Sequence, residues 1–82
     1  MSNPLQQILF EELAFIQRDF PVTSADVLGR SRSRTVVRAR QALYRRLRAR
    51  GLSYPEVGKL VDRDHTTVLA ACRQHRPMTQ EP

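Results

Sequence analysis

The chain has 82 residues, 40% of them hydrophobic and 27% charged, with a net charge of +6 at pH 7 and a pI of about 11.0. This length allows one small domain and favours a compact helical arrangement over a large enzyme cleft, and the apolar content is too high for a disordered chain. The single cysteine excludes an internal disulfide and suits a reducing cytoplasm, and no run approaches the roughly 20 apolar residues of a membrane span.

The charge is unevenly distributed along the chain. Residues 1–29 carry one cation against four acidic residues, whereas residues 30–76 carry 13 cations against three acidic residues. Twelve of those 13 cations are arginines, whose planar guanidinium groups suit bidentate contacts to phosphate and guanine. A polyanion is therefore the first partner that the sequence indicates.

The first of five predicted helices opens at Asn3-Pro4, a pair typical of an N-cap followed by proline at N1, and Pro21 ends it. Its apolar residues recur at three- and four-residue spacing. Phe10 and Phe15 lie off that stripe, so the helix has more apolar surface than one packed face needs.

A short helix with the sequence SADVL follows, and Thr23 is its predicted N-cap. The basic loop RSRSR, residues 30–34, precedes a long helix from about Thr35 to Arg50, with Gly51 as its C′ residue. The predicted inward face of this long helix comprises Val36, Val37, Leu43, Tyr44 and Leu47.

The sequence SYPE predicts a capping box, with Ser53 as N-cap and Glu56 at N3 of a short helix. Gly58 lies where a neighbouring helix could approach closely. The segment DRD then forms a tight turn, and Asp64 is the predicted N-cap of a last helix over residues 65–76. The predicted apolar stripe of the fourth helix is Val57, Leu60 and Val61, and that of the fifth is Val68, Leu69 and Cys72.

The predicted fold class is therefore all-α, a small helical domain with a helix-turn-helix. No enzyme template fits it, because the three glycines are isolated and no phosphate-cradling loop occurs. His65, Cys72 and His75 fall near one side of a helix, but Cys72 belongs to the apolar stripe and no further ligand completes a metal set. We predict no catalytic residues, no metal site and no cofactor.

In a helix-turn-helix, the first residues of the second helix contact base edges in the major groove of DNA. The segment RDHTT lies at this position and has side chains that can make such contacts. Arg63 can donate two hydrogen bonds to guanine, and Asp64 can accept one from cytosine. His65 can donate or accept at a base edge, and the Thr66 and Thr67 methyl groups can touch a thymine methyl. The alternative is that Asp64 is only an N-cap and the others are solvated.

The segments RSRSRTVVRARQ and, about twenty residues later, RDHTTVLAACR closely resemble the C-terminal DNA-binding domain (domain IV) of DnaA, the bacterial replication initiator. The resemblance covers Glu12 to Arg76 and implies a Trp-repressor-like helical fold. It implies that Arg32 enters the minor groove beside Ser33 and Arg34. The other residues that it implies in DNA binding are Arg40, Gln41 and Arg48 at phosphates, Tyr54 and Pro55 at the backbone or a thymine methyl, and Arg63, Asp64, His65, Thr66 and Thr67 at the major groove.

The chain departs from the family pattern at three points. Val61-Asp62 stands where the family usually has a glycine pair, and Tyr54 is bulkier than the usual aliphatic residue. The initiator's ATPase module has no counterpart in these 82 residues. We therefore expect a stand-alone protein that is not itself an initiator.

The domain expected from this pattern spans residues 1–76, followed by a tail at 77–82. Within it lie an N-terminal amphipathic helix (1–20), the basic loop and a helix-turn-helix (53–76). We expect sequence-specific binding to double-stranded DNA at DnaA-box-like sites, without ATPase activity, in regulation of replication initiation or transcription. The expected location is the cytoplasm, at the nucleoid.

An alternative function is a protein-interaction module, with DNA binding secondary. Leu5, Phe10 and Phe15 could dock on a replication or transcription protein, or form a weak dimer of an otherwise monomeric chain. The competing interpretation is that these side chains complete a small core. Binding to lipid or RNA is disfavoured, because the core needs the apolar stripe of the long helix and no aromatic stacking platform accompanies the basic residues.

Overall fold

The computed structural model describes residues 4–74, which form five helices and no strand, so the predicted all-α fold class is confirmed. The helices are α1 (Pro4–Asp19), α2 (Ser24–Leu28), α3 (Arg34–Ala49), α4 (Tyr54–Val61) and α5 (His65–Gln74). Three predicted features lie outside the described residues, namely the Asn3 cap, the final turn of the last helix and the tail at 77–82.

Local capping signals set the helix boundaries. Thr23 and Ser53 each accept a hydrogen bond from the amide of the N3 residue, whose own carboxylate accepts from the cap amide, so both are capping boxes. Gly51 follows the end of α3 with a φ of 101°, the left-handed conformation that glycine adopts without strain. The boundaries predicted from these residues are confirmed.

Helix α3 is the centre of the domain, because it packs against each of the other four helices. Its residues Ala39, Leu43 and Leu47 are completely buried. Around them lie core residues from every other part of the fold, among them Ile16, Val27, Leu52, Val57 and Val68.

The predicted inward faces need two corrections. Val37 and Leu69 are only partly buried. Leu60 and Cys72 are also partly buried, but both pack against the core as predicted. On α5, Ala71 packs against the core beside Cys72. The buried stripe of that helix is therefore rotated slightly away from the predicted one.

Helix α1 is attached to the end of α3 by ion pairs as well as by apolar packing. Glu12 is only 3% exposed. Its carboxylate accepts from Nε of Arg46 and, at 2.7 Å, from Nη1 of Arg50. Burial raises the pKa of Glu12, but the hydrogen bonds from the two arginines outweigh burial and keep this pKa below its ordinary value. Arg50 also donates from Nη2 to Glu11 at 3.1 Å, which is the third hydrogen bond between these arginines and the α1 carboxylates.

Candidate nucleic-acid interface

The turn between α4 and α5 is folded tightly around Gly58. The Arg63 amide donates to the Gly58 carbonyl at 2.8 Å, and Asp62 adopts a left-handed conformation with φ 59° and ψ 49°. A Cβ on Gly58 would lie 2.6 Å from the Arg63 carbonyl oxygen and 3.2 Å from the His65 nitrogen, so a larger residue would push the turn away. The predicted close approach at Gly58 is confirmed.

Asp64 caps the beginning of α5, as predicted. Its Oδ1 accepts from the Thr66 amide at 3.2 Å, and its backbone carbonyl accepts from Thr67 at 3.0 Å and Val68 at 3.2 Å. The bond from the Thr66 amide lowers the pKa of the Asp64 carboxyl, so the cap is ionised at neutral pH. The His65 Nδ1 lies 3.4 Å from the same Oδ1. A contact from Asp64 to cytosine stays a prediction.

The first turn of α5 is exposed and the next turn is anchored in the core. His65, Thr66 and Thr67 are exposed, whereas Val68 is 0% exposed. A helix-turn-helix contacts base edges with the N-terminal residues of its second helix, so the exposure of these three side chains is compatible with the predicted base contacts, which stay predictions.

Two grooves border this exposed turn, and Arg63 lines both. The first runs along the α4–α5 turn and is also lined by Pro55, Lys59 and His65. The second lies between α3 and α5. It brings Gln41 and Thr67, which are distant in sequence, to one surface together with Val37, Arg40, Tyr44, Ala70 and Ala71.

The basic loop is exposed beside α3. Arg32 and Ser33 lie in the loop, and Arg34 is the first residue of α3, one residue earlier than predicted. Ser33 is the N-cap residue, and its amide donates to the Ser31 hydroxyl at 3.3 Å. The exposed side chains of Arg32 and Arg34 are accessible to a phosphate backbone or a groove.

Arg40 and Arg63 are directed toward the base of this loop. Arg40 donates from Nε to the Val27 carbonyl at 2.9 Å, and from Nη2 to the carbonyls of Asp26 and Gly29 at 3.1 Å each. Arg63 donates from Nη2 to the same Gly29 carbonyl. The phosphate contact implied for Arg40 and the guanine contact implied for Arg63 stay predictions, because carbonyl oxygens hold both guanidinium groups in this structure.

Tyr54 has a specific partner at the start of α4. The Arg48 guanidinium lies 4.1 Å from the Tyr54 ring centroid, and its Nη1 donates to the Leu52 carbonyl at 2.8 Å. The bulk that departs from the family pattern at Tyr54 therefore provides a cation–π surface that orients Arg48. Arg48 and Pro55 are exposed, so both are accessible to DNA.

Lys59 is a candidate contact residue that the sequence reasoning missed. It is exposed on α4 and lines the turn groove beside Pro55 and Arg63. The spacing of four residues between Pro55 and Lys59 places them on one helix face, so this signal was present in the sequence.

Residues 4–74 contain no group of three His, Cys, Asp or Glu side chains that could hold a metal ion, and His75 lies outside this range. None of the helices described here has the length and apolar character needed to cross a membrane.

These features define a small all-helical domain with a helix-turn-helix, the class that presents an exposed recognition helix to duplex DNA. The chain matches the family described as "Bacterial dnaA protein helix-turn-helix" over residues 13–74 and belongs to that family. The resemblance seen in the two sequence segments is therefore confirmed, and the matched domain is a DNA-binding, non-catalytic one.

The chain is also similar to the chromosomal replication initiator protein DnaA of Bartonella quintana (strain Toulouse). The two are 40% identical over 76 residues, which covers 89% of this chain and 15% of that relative. The chain thus spans about 15% of the length of the curated relative. No solved structure matches the chain.

Proposed function

We propose that the protein binds double-stranded DNA sequence-specifically at DnaA-box-like sites. The observation that carries this proposal is the exposed first turn of α5, where His65, Thr66 and Thr67 project from a helix that Gly58 and Val68 hold in place. Rigid support matters because base readout requires side chains to be positioned by the scaffold before DNA arrives.

The basic loop supplies a second contact in this proposal. Arg32 inserts into the adjacent minor groove, where A·T-rich narrowing deepens the negative potential. Ser33 and Arg34 lie beside it at the sugar-phosphate backbone. An exposed arginine on a short loop suits this role, because its charge remains available for a narrow groove.

The surrounding cations position the domain on the backbone without reading sequence. Arg48 is held by Tyr54 at one side of the interface, and Lys59 lies in the turn groove. Both cations are proposed phosphate contacts. Gln41 is half-buried in the α3–α5 groove, which Thr67 also lines. We propose that its side-chain amide donates a hydrogen bond to a DNA phosphate.

A binding titration tests the specificity. Fluorescently labelled duplexes containing a DnaA box, and duplexes of the same length and composition with a scrambled box, are titrated at near-physiological salt. Box-containing DNA should bind at least about 10³-fold more tightly. Equal affinity for the two duplexes would refute the proposed function.

Two variants separate reading from positioning. Thr67→Ala should erode discrimination at one position by about 1–3 kcal/mol while changing affinity for scrambled DNA little. Arg48→Ala should weaken binding to all duplexes alike and reduce the salt slope by about 1. If Arg48→Ala changed discrimination and Thr67→Ala changed only the salt slope, the two assignments would be wrong.

We also propose that the protein acts in regulation of replication initiation or of transcription, without hydrolysing ATP, at the bacterial nucleoid. If this protein of 9.5 kDa occupied DnaA boxes, the initiator could not bind to them at the same time. A footprint of the initiator on an origin fragment should weaken when this protein is added. The Thr67→Ala variant should weaken it less, and an unchanged footprint would contradict competition.

Self-association through α1 is a second candidate function, favoured by one observation. Phe10 is 63% exposed, an unusual position for a side chain of this size. Phe15 is 43% exposed but is covered by the Arg46 guanidinium at 4.5 Å, and Leu5 packs against the core. Sedimentation of the protein and of Phe10→Ser tests this role, since a monomer at high concentration in both would exclude it.

A further inference from the structure

The carbonyl oxygen of Gly29 is a junction between the two proposed DNA-contacting elements. It accepts one hydrogen bond from Arg40 of α3 and another from Arg63 of the turn. Gly29 directly precedes the basic loop, and Arg63 directly precedes the cap of α5. One backbone atom therefore connects the basic loop, the proposed minor-groove contact, to the start of α5, the proposed major-groove contact.

Arg40 also satisfies the end of α2. The last carbonyls of a helix lack intrahelical partners, and Arg40 donates to those of Asp26 and Val27 as well as to Gly29. The Asp26 carbonyl also accepts from the Gly29 amide at 3.3 Å. Its guanidinium thus holds the short helix α2 against α3 from a half-buried position. The chain leaves this anchored segment at Gly29 and enters the exposed loop.

We propose that the Arg40–Gly29–Arg63 junction positions the basic loop relative to the recognition helix, so that Arg40 is a positioning residue for Arg32 rather than primarily a phosphate ligand. This inference rests on the proposed function, because it concerns how two DNA contacts are kept in register. The loop is short, so fixing Gly29, the residue directly before it, limits where Arg32 can reach.

The chemistry of arginine distinguishes positioning from charge. A planar guanidinium with several donors can serve three carbonyls at once, whereas a lysine ammonium has the same charge on a compact head. Lysine remains a good phosphate ligand. Arg40→Lys should therefore preserve a phosphate contact but lose the shape that holds Val27, Asp26 and Gly29 together.

A double-mutant cycle measures the coupling. Box affinity is determined for the wild type, Arg32→Ala, Arg40→Lys and the double variant, with Arg38→Lys as the matched control because Arg38 is exposed on the same helix. Arg32→Ala should weaken wild-type binding about tenfold. In the Arg40→Lys background the same change should weaken binding less than about threefold, whereas in the Arg38→Lys background the tenfold loss should persist.

The outcomes separate this inference from the proposed function. If the losses from Arg32→Ala and Arg40→Lys simply multiply, the junction does not position Arg32 and the inference fails while the function stands. If the wild type does not distinguish box from scrambled DNA, both fail.

Folding is checked by thermal melting of every variant. If Arg40→Lys is unfolded, Arg63→Lys replaces it, since Arg63 reaches the same Gly29 carbonyl without contacting α2. A tenfold effect of Arg32→Ala in that background would overturn the inference.

Discussion

Asp62 provides a sharp test of the turn geometry. With φ 59° and ψ 49°, it occupies the left-handed region, where a Cβ costs about 1–2 kcal/mol in most residues and somewhat less in Asp or Asn. Replacing Asp62 by glycine removes this strain, while the extra freedom of glycine in the unfolded chain costs about 0.4–1 kcal/mol. Asp62→Gly should therefore raise the free energy of unfolding by about 0.5 kcal/mol, or about 2–4 °C in melting temperature.

A matched variant separates this conformational effect from charge. Asp62→Asn keeps the side-chain shape and the tolerance for the left-handed region but removes the negative charge. Its stability should change by less than about 0.5 kcal/mol. A unit charge about 8 Å from a phosphate is worth about 0.5 kcal/mol in water, so both variants should bind every duplex about two- to threefold more tightly at low salt.

Urea unfolding and duplex titration at two salt concentrations measure these effects. The gain in affinity should shrink as salt rises, because exposed charges are screened. A variant Asp62→Ala should be the least stable of the series, since alanine has the Cβ but no polar side chain to support the conformation. Lower stability of Asp62→Gly than of the wild type would refute the strain at this position.

Two further predictions concern the scaffold. Gly58→Ala should destabilise the protein by about 1–3 kcal/mol and reduce box discrimination, because its Cβ would displace the Arg63 carbonyl. Urea unfolding measures the stability and box titration the discrimination. If neither changed, the turn would have relaxed around the added methyl group. Glu12→Gln should lower stability at pH 7 by about 1–3 kcal/mol. Because the folded pKa of Glu12 is lowered, its contribution is present above its ordinary pKa of 4.5 and is lost as pH falls below it, so melting curves of the two proteins should converge in acid. A constant difference across pH would contradict this ionisation.

Helix boundaries and the turn were predictable because their signals are local. Thr23, Ser53 and Asp64 each satisfy amides within three residues of themselves, and Gly51 adopts its conformation regardless of distant contacts. Such interactions can be predicted from residues that are close together in the sequence. The surplus apolar surface of the first helix was likewise visible, since periodicity alone placed Phe10 off the packed stripe.

The partners of the arginines could not be predicted in this way. Arg40 and Arg63 meet at Gly29 across 11 and 34 residues of sequence, and Arg46 meets Glu12 across 34. Nothing in the neighbouring residues indicates these pairings, because they depend on how α1, α2, α3 and the α4–α5 turn come together in the fold. An arginine at any of these positions has the same local appearance as one that contacts DNA.

The net positive charge of residues 30–76 therefore overstates the charge that is available to DNA. Arg46 and Arg50 are paired with α1 carboxylates at the end of α3. Arg40 keeps its charge, because carbonyl groups are neutral, but its Nε and Nη2 donors are occupied by them. Among the residues that the structure describes, Arg32, Arg34, Arg48 and Lys59 are exposed, and Lys59 lines the groove at the first turn of α5. The α1 carboxylates therefore compensate the cations at the end of α3, so less positive charge is available there than the sequence suggests. An uneven charge distribution of this kind favours approach to a polyanion in one orientation.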